Sequence, residues 1–97
     1  MRIIAKRTLR EFWERYPEAE EPLKAWYDEA VKANWKTFHD IKSDFRTASI
    51  LGNERVVFNI KGNQYRLVVL ILFVSGKIFI RFVGTHAEYD KIDSRKI

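Results

Sequence analysis

Apolar positions along this chain change period once. In the first half they recur every three or four residues, and in the second half they alternate or run unbroken. Residues 2–4 suit a short strand. Leu9, Phe12, Trp13 and Tyr16 then form one helical stripe. Thr8 with Glu11 three residues on has the form of a capping box, which starts the helix at Thr8. Ala5 and Lys6 are also helix-compatible, so an earlier start fits equally well. Pro17 closes this helix or kinks the chain. Leu23, Trp26, Tyr27, Ala30 and Val31, with Trp35 just beyond, predict a second helix over about Glu18 to Asn34. Pro22 is tolerable only in its first turn. Glu20, Glu21, Asp28 and Glu29 sit mostly off the stripe, so two antiparallel helices joined near Pro17 would turn apolar faces toward something flat. Residues 37–45 are ambiguous: Thr37 and Asp40 suggest a cap, with Phe38, Ile41 and Phe45 as a short helical face. Arg46 to Asn53 reads as loop.

The second half reads as strands. Val56 to Ile60 is one, Gly62-Asn63 a turn, and Gln64 to Val74 a long strand rich in β-branched residues. Ser75-Gly76 is a hairpin signal. Lys77 to Val83 is the third strand, ended by Gly84. Ala87 to about Ile92 suits a short helix, followed by a basic tail. Helices first and an antiparallel meander afterwards give an α+β order, with the helices packed on a small twisted antiparallel sheet. Leu67 to Val74 is apolar at both parities, which predicts a central strand covered on both faces. No linker, repeat or low-complexity tract divides the chain. With 97 residues, the expectation is a single domain over 1–97.

Composition narrows the classes. At 46% hydrophobic and 32% charged residues, the chain is neither disordered nor collagen-like. Without cysteine, disulfide scaffolds, thiolate chemistry and Cys-ligated zinc are excluded. The longest apolar run, Leu67 to Val74, is far short of the roughly 20 residues a membrane helix needs. The first residues lack a signal-peptide apolar region. The expected location is cytoplasmic, with no membrane partner. Net charge is +5, and it is segregated. Arg2, Lys6, Arg7 and Arg10 open the chain with no acid among them, residues 11–30 are acidic, and the remainder is basic. A basic excess in a small chain points to an anionic partner, most often nucleic acid.

Polar residues that interrupt the strands are the candidate chemistry. Asn59, Arg66 and Arg81 break otherwise apolar runs; Lys61 sits at the first turn, and His86 and Tyr89 follow the third strand. Arg81 shares its parity with Phe79 and Val83. In a meander with Gln64–Val74 central, Lys61, Arg66, Arg81 and His86 fall at one end of the sheet. Such a cluster suits RNA cleavage, in which a ribose 2′-hydroxyl attacks the adjacent phosphate. Cations stabilise the charge that builds on phosphorus-bound oxygens, His titrates nearest neutrality for proton transfer, and aromatic rings stack bases. The plain alternative is that these cations solvate a sheet edge and pair with carboxylates. His39 is assigned no role. Two histidines distant in sequence make no transition-metal site, and Gly62 and Gly76 read as turns rather than as a phosphate loop.

Gly62-Asn63-Gln64-Tyr65-Arg66-Leu67, followed by Ile80-Arg81-Phe82-Val83-Gly84-Thr85-His86-Ala87-Glu88-Tyr89-Asp90-Lys91-Ile92, resembles the HigB family of type II toxins, within the RelE-like superfamily of mRNA interferases. The likeness covers most of the chain. It extends to Ile3-Ile4-Ala5-Lys6 with a helix after it, to Trp35–Phe45, and to Val57-Phe58-Asn59-Ile60. It implies a RelE-like α+β toxin, a metal-independent endoribonuclease that needs no cofactor and cleaves mRNA during translation in the ribosomal A site. Its implied partners are ribosomal RNA and a HigA-type helix-turn-helix antitoxin, with operator DNA reached only through the antitoxin. Arg66 matches the arginine such toxins place against the scissile phosphate. His86 falls where relatives carry an arginine or histidine and is assigned proton transfer. Lys61 and Arg81 give electrostatic support. Asn59, Tyr89 and Lys91 contact RNA, with Tyr89 stacking a base or bonding the ribose. Asn59 lies near a position where related toxins use lysine and carries no charge. The competing readings are a non-catalytic basic RNA- or ribosome-binding module, and an interaction protein acting through the acidic helix.

Overall fold

The computed structural model describes residues 1–97. In chain order the elements are β1 (Arg2–Ile4), α1 (Lys6–Arg15), a 3-10 turn (Pro17–Ala19), α2 (Glu20–Lys32), α3 (Phe38–Asp44), β2 (Ser49–Ile50), β3 (Arg55–Ile60), β4 (Tyr65–Leu72), β5 (Lys77–Thr85) and α4 (His86–Tyr89). The strands form one five-stranded sheet in the order β1-β5-β4-β3-β2. β2, β3, β4 and β5 are antiparallel to their neighbours, whereas β1 lies parallel to β5, Ile3 opposite Ile78. The architecture is mixed α and β, in keeping with α+β, but the sheet is not the purely antiparallel one expected. The physical reason is that β1 enters from the chain start and is separated from β5 by most of the sequence. A parallel pairing needs such a long connection, and α1 to β4 supplies it.

One face of the sheet carries the main apolar cluster. Val56, Phe58 and Ile60 of β3, Tyr65, Leu67, Val69 and Ile71 of β4, and Ile78 of β5 join Leu9, Phe12, Leu23, Trp26 and Ala30 of α1 and α2. Phe58 is the hub. Its ring centroid lies 5.3 Å from Trp26, 5.1 Å from Phe45 and 6.5 Å from Trp35. Burying each side chain of this size contributes about 1.5–3 kcal/mol. On the other face, Val57 and Val68 are buried outside that cluster. The C-terminal segment lies against this side: Asn53 Nδ2 donates to the Arg95 carbonyl at 3.3 Å, and Arg55 Nε to the Ile97 carbonyl at 2.9 Å. Thus β4 is covered on both sides, as its two-parity apolar run requires. Val74, beyond the strand, is fully exposed.

Local differences have local causes. Helix α1 starts at Lys6 with Ala5 as its cap and no side-chain cap bond, so Thr8 and Glu11 form no capping box. Pairing with β5 ends at Ile4, and the chain turns into helix at once. Thr37 and Asp40 do form a capping box, which fixes α3. The stretch read as loop before Asn53 contains β2, a pairing visible only once β3 is placed beside it. Gly84 does not end β5. It pairs with Arg66 inside the strand, which runs on to Thr85. A Cβ there would meet the Phe82 ring at 2.5 Å and Glu88 Oε1 at 3.0 Å, so glycine is required by packing rather than by chain termination. No helix is long and apolar enough to cross a membrane.

Candidate active site

The β3–β4 hairpin turns through Lys61 and Gly62, both in the left-handed region (φ 53° and 65°). Glycine accepts that conformation without a steric cost. This turn fixes the register Asn59–Arg66–Gly84 across the three neighbouring strands. Arg66 is half-buried, and its Nη1 donates to the Asn63 carbonyl at 3.0 Å. Its guanidinium lies 5.8 Å from the centroid of the Tyr89 ring, within cation–π reach. Tyr89 in turn packs on Phe82, centroids 6.4 Å apart.

Helix α4 carries Tyr89 and His86 to this place. Thr85 and Glu88 cap it reciprocally: Glu88 N–H donates to Thr85 Oγ1 at 3.1 Å, and Thr85 N–H to Glu88 Oε1 at 2.9 Å. The His86 amide donates to the Gln64 carbonyl at 3.1 Å, which pins the start of the helix beside the start of β4. Positions three apart on a helix share a side, so His86 and Tyr89 leave α4 in similar directions. His86 Nδ1 stands 3.0 Å from Asp90 Oδ2. A carboxylate only accepts, so Nδ1 donates in this pair and Nε2 has no protein partner.

A second polar link braces the neighbouring residue. Tyr65, whose side chain is on the opposite face from Arg66, donates its hydroxyl to Glu18 Oε1. This bond pushes the Tyr65 hydroxyl up to about 12 and holds Glu18 below the ordinary carboxylate value, with a smaller pull from Lys61. Tyr65 packs against Phe12 and Tyr16, at 5.4 Å and 5.7 Å between centroids. The turn between α1 and α2 is thereby tied to the first residue of β4.

The predicted residues fall into two groups. Arg66, Asn59, His86 and Tyr89 gather around the β4 start and α4. Lys61 is exposed on the adjoining turn, on the side of Glu18. Lys91 is exposed just past α4. Arg81 stands apart, as the extra residue of a bulge: Val69 pairs with Ile80 and Val68 with Phe82, leaving Arg81 exposed and unopposed. The bulge also corrects the strand parity, because Phe79 pairs with Leu70 and Val83 with Leu67, on opposite faces. None of Lys61, Arg66, Arg81 and Lys91 is ion-paired; the four ion pairs are Arg7–Glu11, Lys24–Glu20, His86–Asp90 and Lys96–Asp93. Sequence reasoning missed Asp90, though its spacing of four from His86 is legible. It also missed the Thr85–Glu88 box, and it took Gly84 for a strand end.

Residues 19–92 match the family model described as HigB_toxin, the RelE-like toxic component of a toxin–antitoxin system. The chain belongs to the HigB toxin family. It is 33% identical over 92 residues to the mRNA interferase toxin HigB of Escherichia coli (strain K12), covering 93% of this chain and 88% of that one. The mRNA interferase HigB of Shigella flexneri is similar to the same extent. A further mRNA interferase HigB, from Escherichia coli O6:H1, is 28% identical over 94 residues, covering 95% of this chain and 91% of the relative.

Proposed function

We propose that this toxin, an mRNA interferase like its relatives, cuts translated message on the ribosome through Arg66 and His86. Residues 1–97 act as one toxin domain in the cytoplasm. The observation that carries the reading is the Arg66 guanidinium, unpaired with any carboxylate and set over Tyr89. A carboxylate paired with it would cancel much of the positive charge it offers a phosphate.

The ribose 2′-oxygen forms a bond to phosphorus, the bond from phosphorus to the 5′-oxygen breaks, and the products are a 2′,3′-cyclic phosphate and a 5′-hydroxyl. One proton leaves the 2′-oxygen and one reaches the 5′-oxygen. His86 Nε2 carries one of these transfers, oriented by Asp90 through Nδ1. Arg66 stabilises the charge on the non-bridging oxygens. Tyr89 stacks a base or bonds the ribose, Asn59 hydrogen-bonds the strand, and Lys61, Arg81 and Lys91 supply positive potential. The site is open and small, so the ribosome orients the message; orientation removes up to about 7–11 kcal/mol of a barrier in favourable cases. Naked RNA is therefore a poor substrate. A HigA-type helix-turn-helix antitoxin neutralises the toxin, which meets operator DNA only through it.

The test is induction of the chain alone in cells, with message ends mapped. Growth arrest and new 5′-hydroxyl ends inside translated codons are expected, both lost in Arg66→Ala and His86→Ala. Asp90→Asn should slow cleavage without loosening ribosome binding. Salt-sensitive ribosome binding with no new ends would make the chain a binding module instead.

A further inference from the structure

Helix α4 is a single turn and carries His86 and Tyr89, so contacts beyond its own hydrogen bonds must hold it in place. Its start is fixed by the Thr85–Glu88 box and by the His86 amide on the Gln64 carbonyl. The segment after it is fixed too. The amides of Asp90, Lys91 and Ile92 donate to the carbonyls of His86, Glu88 and Tyr89 at 3.0, 3.1 and 3.2 Å. Ser94 Oγ then stands 3.3 Å from the Tyr89 hydroxyl. At the other end of the sheet, Asn53 Nδ2 donates to the Arg95 carbonyl, and Arg55 grips the Ile97 carbonyl through both Nε and Nη2. Arg55 Nη1 donates to the Asn53 carbonyl at 2.7 Å, so the two anchors also hold each other. No carboxylate pairs with Arg55; its side chain bonds only main-chain oxygens.

The anchor sits on an unusual turn. Asn53 and Glu54 are the central residues between β2 and β3, closed by the Arg55 amide on the Gly52 carbonyl at 3.3 Å, and both are left-handed (φ 59° and 63°). Asparagine tolerates that region and glutamate much less. The Ile71 amide, bonded to the Glu54 carbonyl at 2.9 Å, holds the turn there. From this turn Arg55, Val57 and Asn59 share one face of β3, opposite Leu70, Val68 and Arg66 of β4. Anchor and site are thus the two ends of one strand face, about 14 Å apart along β3, with the buried Val57 and Val68 between them. We infer that residues 93–97 are a strap that sets the site, with Arg55 as a positioning residue. Arg55 fixes the segment that carries Ser94, Ser94 fixes the hydroxyl edge of Tyr89, and that ring lies 5.8 Å from the Arg66 guanidinium. This rests on the toxin reading, which assigns Arg66 to the phosphate. A displacement of about 1 Å at a reacting group costs up to about 10²-fold in rate, even when the cause is remote.

The experiment compares variants of the whole chain on translating ribosomes and as free proteins. Arg55→Ala should lower the single-turnover cleavage rate at saturating ribosomes by about tenfold. The ribosome concentration giving half that rate should stay as in the parent. Arg55→Lys keeps a donor for the Ile97 carbonyl and should recover most of the rate. Ser94→Ala leaves both anchors and should lose about threefold. Arg95→Ala removes an exposed charge from the same segment but keeps the carbonyl that Asn53 grips, so it should cleave like the parent. In the free chains, the amides of Asp90, Lys91 and Ile92 should exchange faster in Arg55→Ala than in the parent, and those of β4 at the parent's rate. Exchange is measured without RNA, so a parent chain that cuts no message would sink the toxin reading alone. Equal losses in Arg55→Ala and Arg95→Ala overturn the inference, because charge rather than geometry would then be at work. So does unchanged exchange at Asp90–Ile92, or an Arg55→Ala variant that melts earlier yet cuts at the parent's rate while folded. Should Arg55→Ala not fold, Ser94→Ala decides, and cleavage at the parent's rate in that variant overturns the strap.

Discussion

The two faces of the sheet are built on different terms. On the helix side, Phe58, Leu67, Val69 and Ile71 meet Trp26, Leu23 and Leu9 in a continuous apolar cluster with almost no polar atom. The single orphan is the Trp26 indole N–H, whose ring meets Phe58 nearly edge-on. On the other side Val57 and Val68 are the buried side chains, beside the buried Gly84, and Asn59, Arg66, Phe82 and Tyr89 share the surface with them. One face carries most of the apolar burial. The other keeps a cation unpaired and two titratable groups on a one-turn helix. The apolar core and the proposed chemistry are thus on opposite sides of one sheet, and β4 contributes to both faces on alternate residues.

Substitutions can break that separation or sharpen it. The largest expected effect is Phe58→Ala, which removes the hub of the helix-side cluster and should cost about 3–5 kcal/mol in urea unfolding. Arg66→Ala should cost nearly as much, but in activity: cleavage falls by about 10²–10³ while unfolding shifts by no more than about 0.5 kcal/mol. Arg66→Lys should recover only part, since an ammonium cannot bind phosphate through a two-pronged fork. A large loss of stability in Arg66→Ala would show that the faces are not separate.

Gly84→Ala comes next, because it touches both. A methyl group displaces the Phe82 ring from beneath Tyr89 and presses on the Glu88 carboxylate that caps α4. A destabilisation of about 1–3 kcal/mol is expected, with a fall in cleavage beyond what unfolding explains. The smallest effect is that of Tyr65→Phe, read in the melting temperature against pH. Glu18 is lowered from 4.5, so its contribution is present above that pH and fades as pH falls through the folded value. Tyr65 is raised from 10.0 to about 12, so its contribution is full below pH 10 and fades as pH climbs toward 12. The difference between the parent chain and Tyr65→Phe should be level between these limits and shrink outside them. A difference that persists unchanged at pH 3 would remove Glu18 as the partner.

Much of this was legible beforehand, for identifiable reasons. The stripes Leu9–Phe12–Trp13 and Leu23–Trp26–Ala30 gave α1 and α2 because period alone distinguishes a helix face. Thr37 with Asp40 gave the start of α3 because a capping box is local chemistry. The Thr8–Glu11 pair has the same form and caps nothing, since the strand before it set the helix start first. Arg66 stands out as a polar interruption in a strand, and His86 as the histidine that follows the last one. The Asp90 contact is not legible there, because it depends on which histidine nitrogen faces the carboxylate. Counting in twos puts Arg81 with Phe79 and Val83, and a single bulged residue reverses that count.

By itself the sequence determined the two long helices and the three long strands, that β4 is central, and which cations stand among apolar neighbours. These follow from contacts between residues near in the chain and from burial patterns written every two or four positions. Only the tertiary structure decided that β1 runs parallel to β5, that Arg81 leaves the strand register, that Tyr65 reaches back to Glu18, and that Arg95 and Ile97 meet Asn53 and Arg55. Each of these joins segments far apart in sequence. Such pairings are selected by the shape of the whole packed sheet, and no local pattern records them.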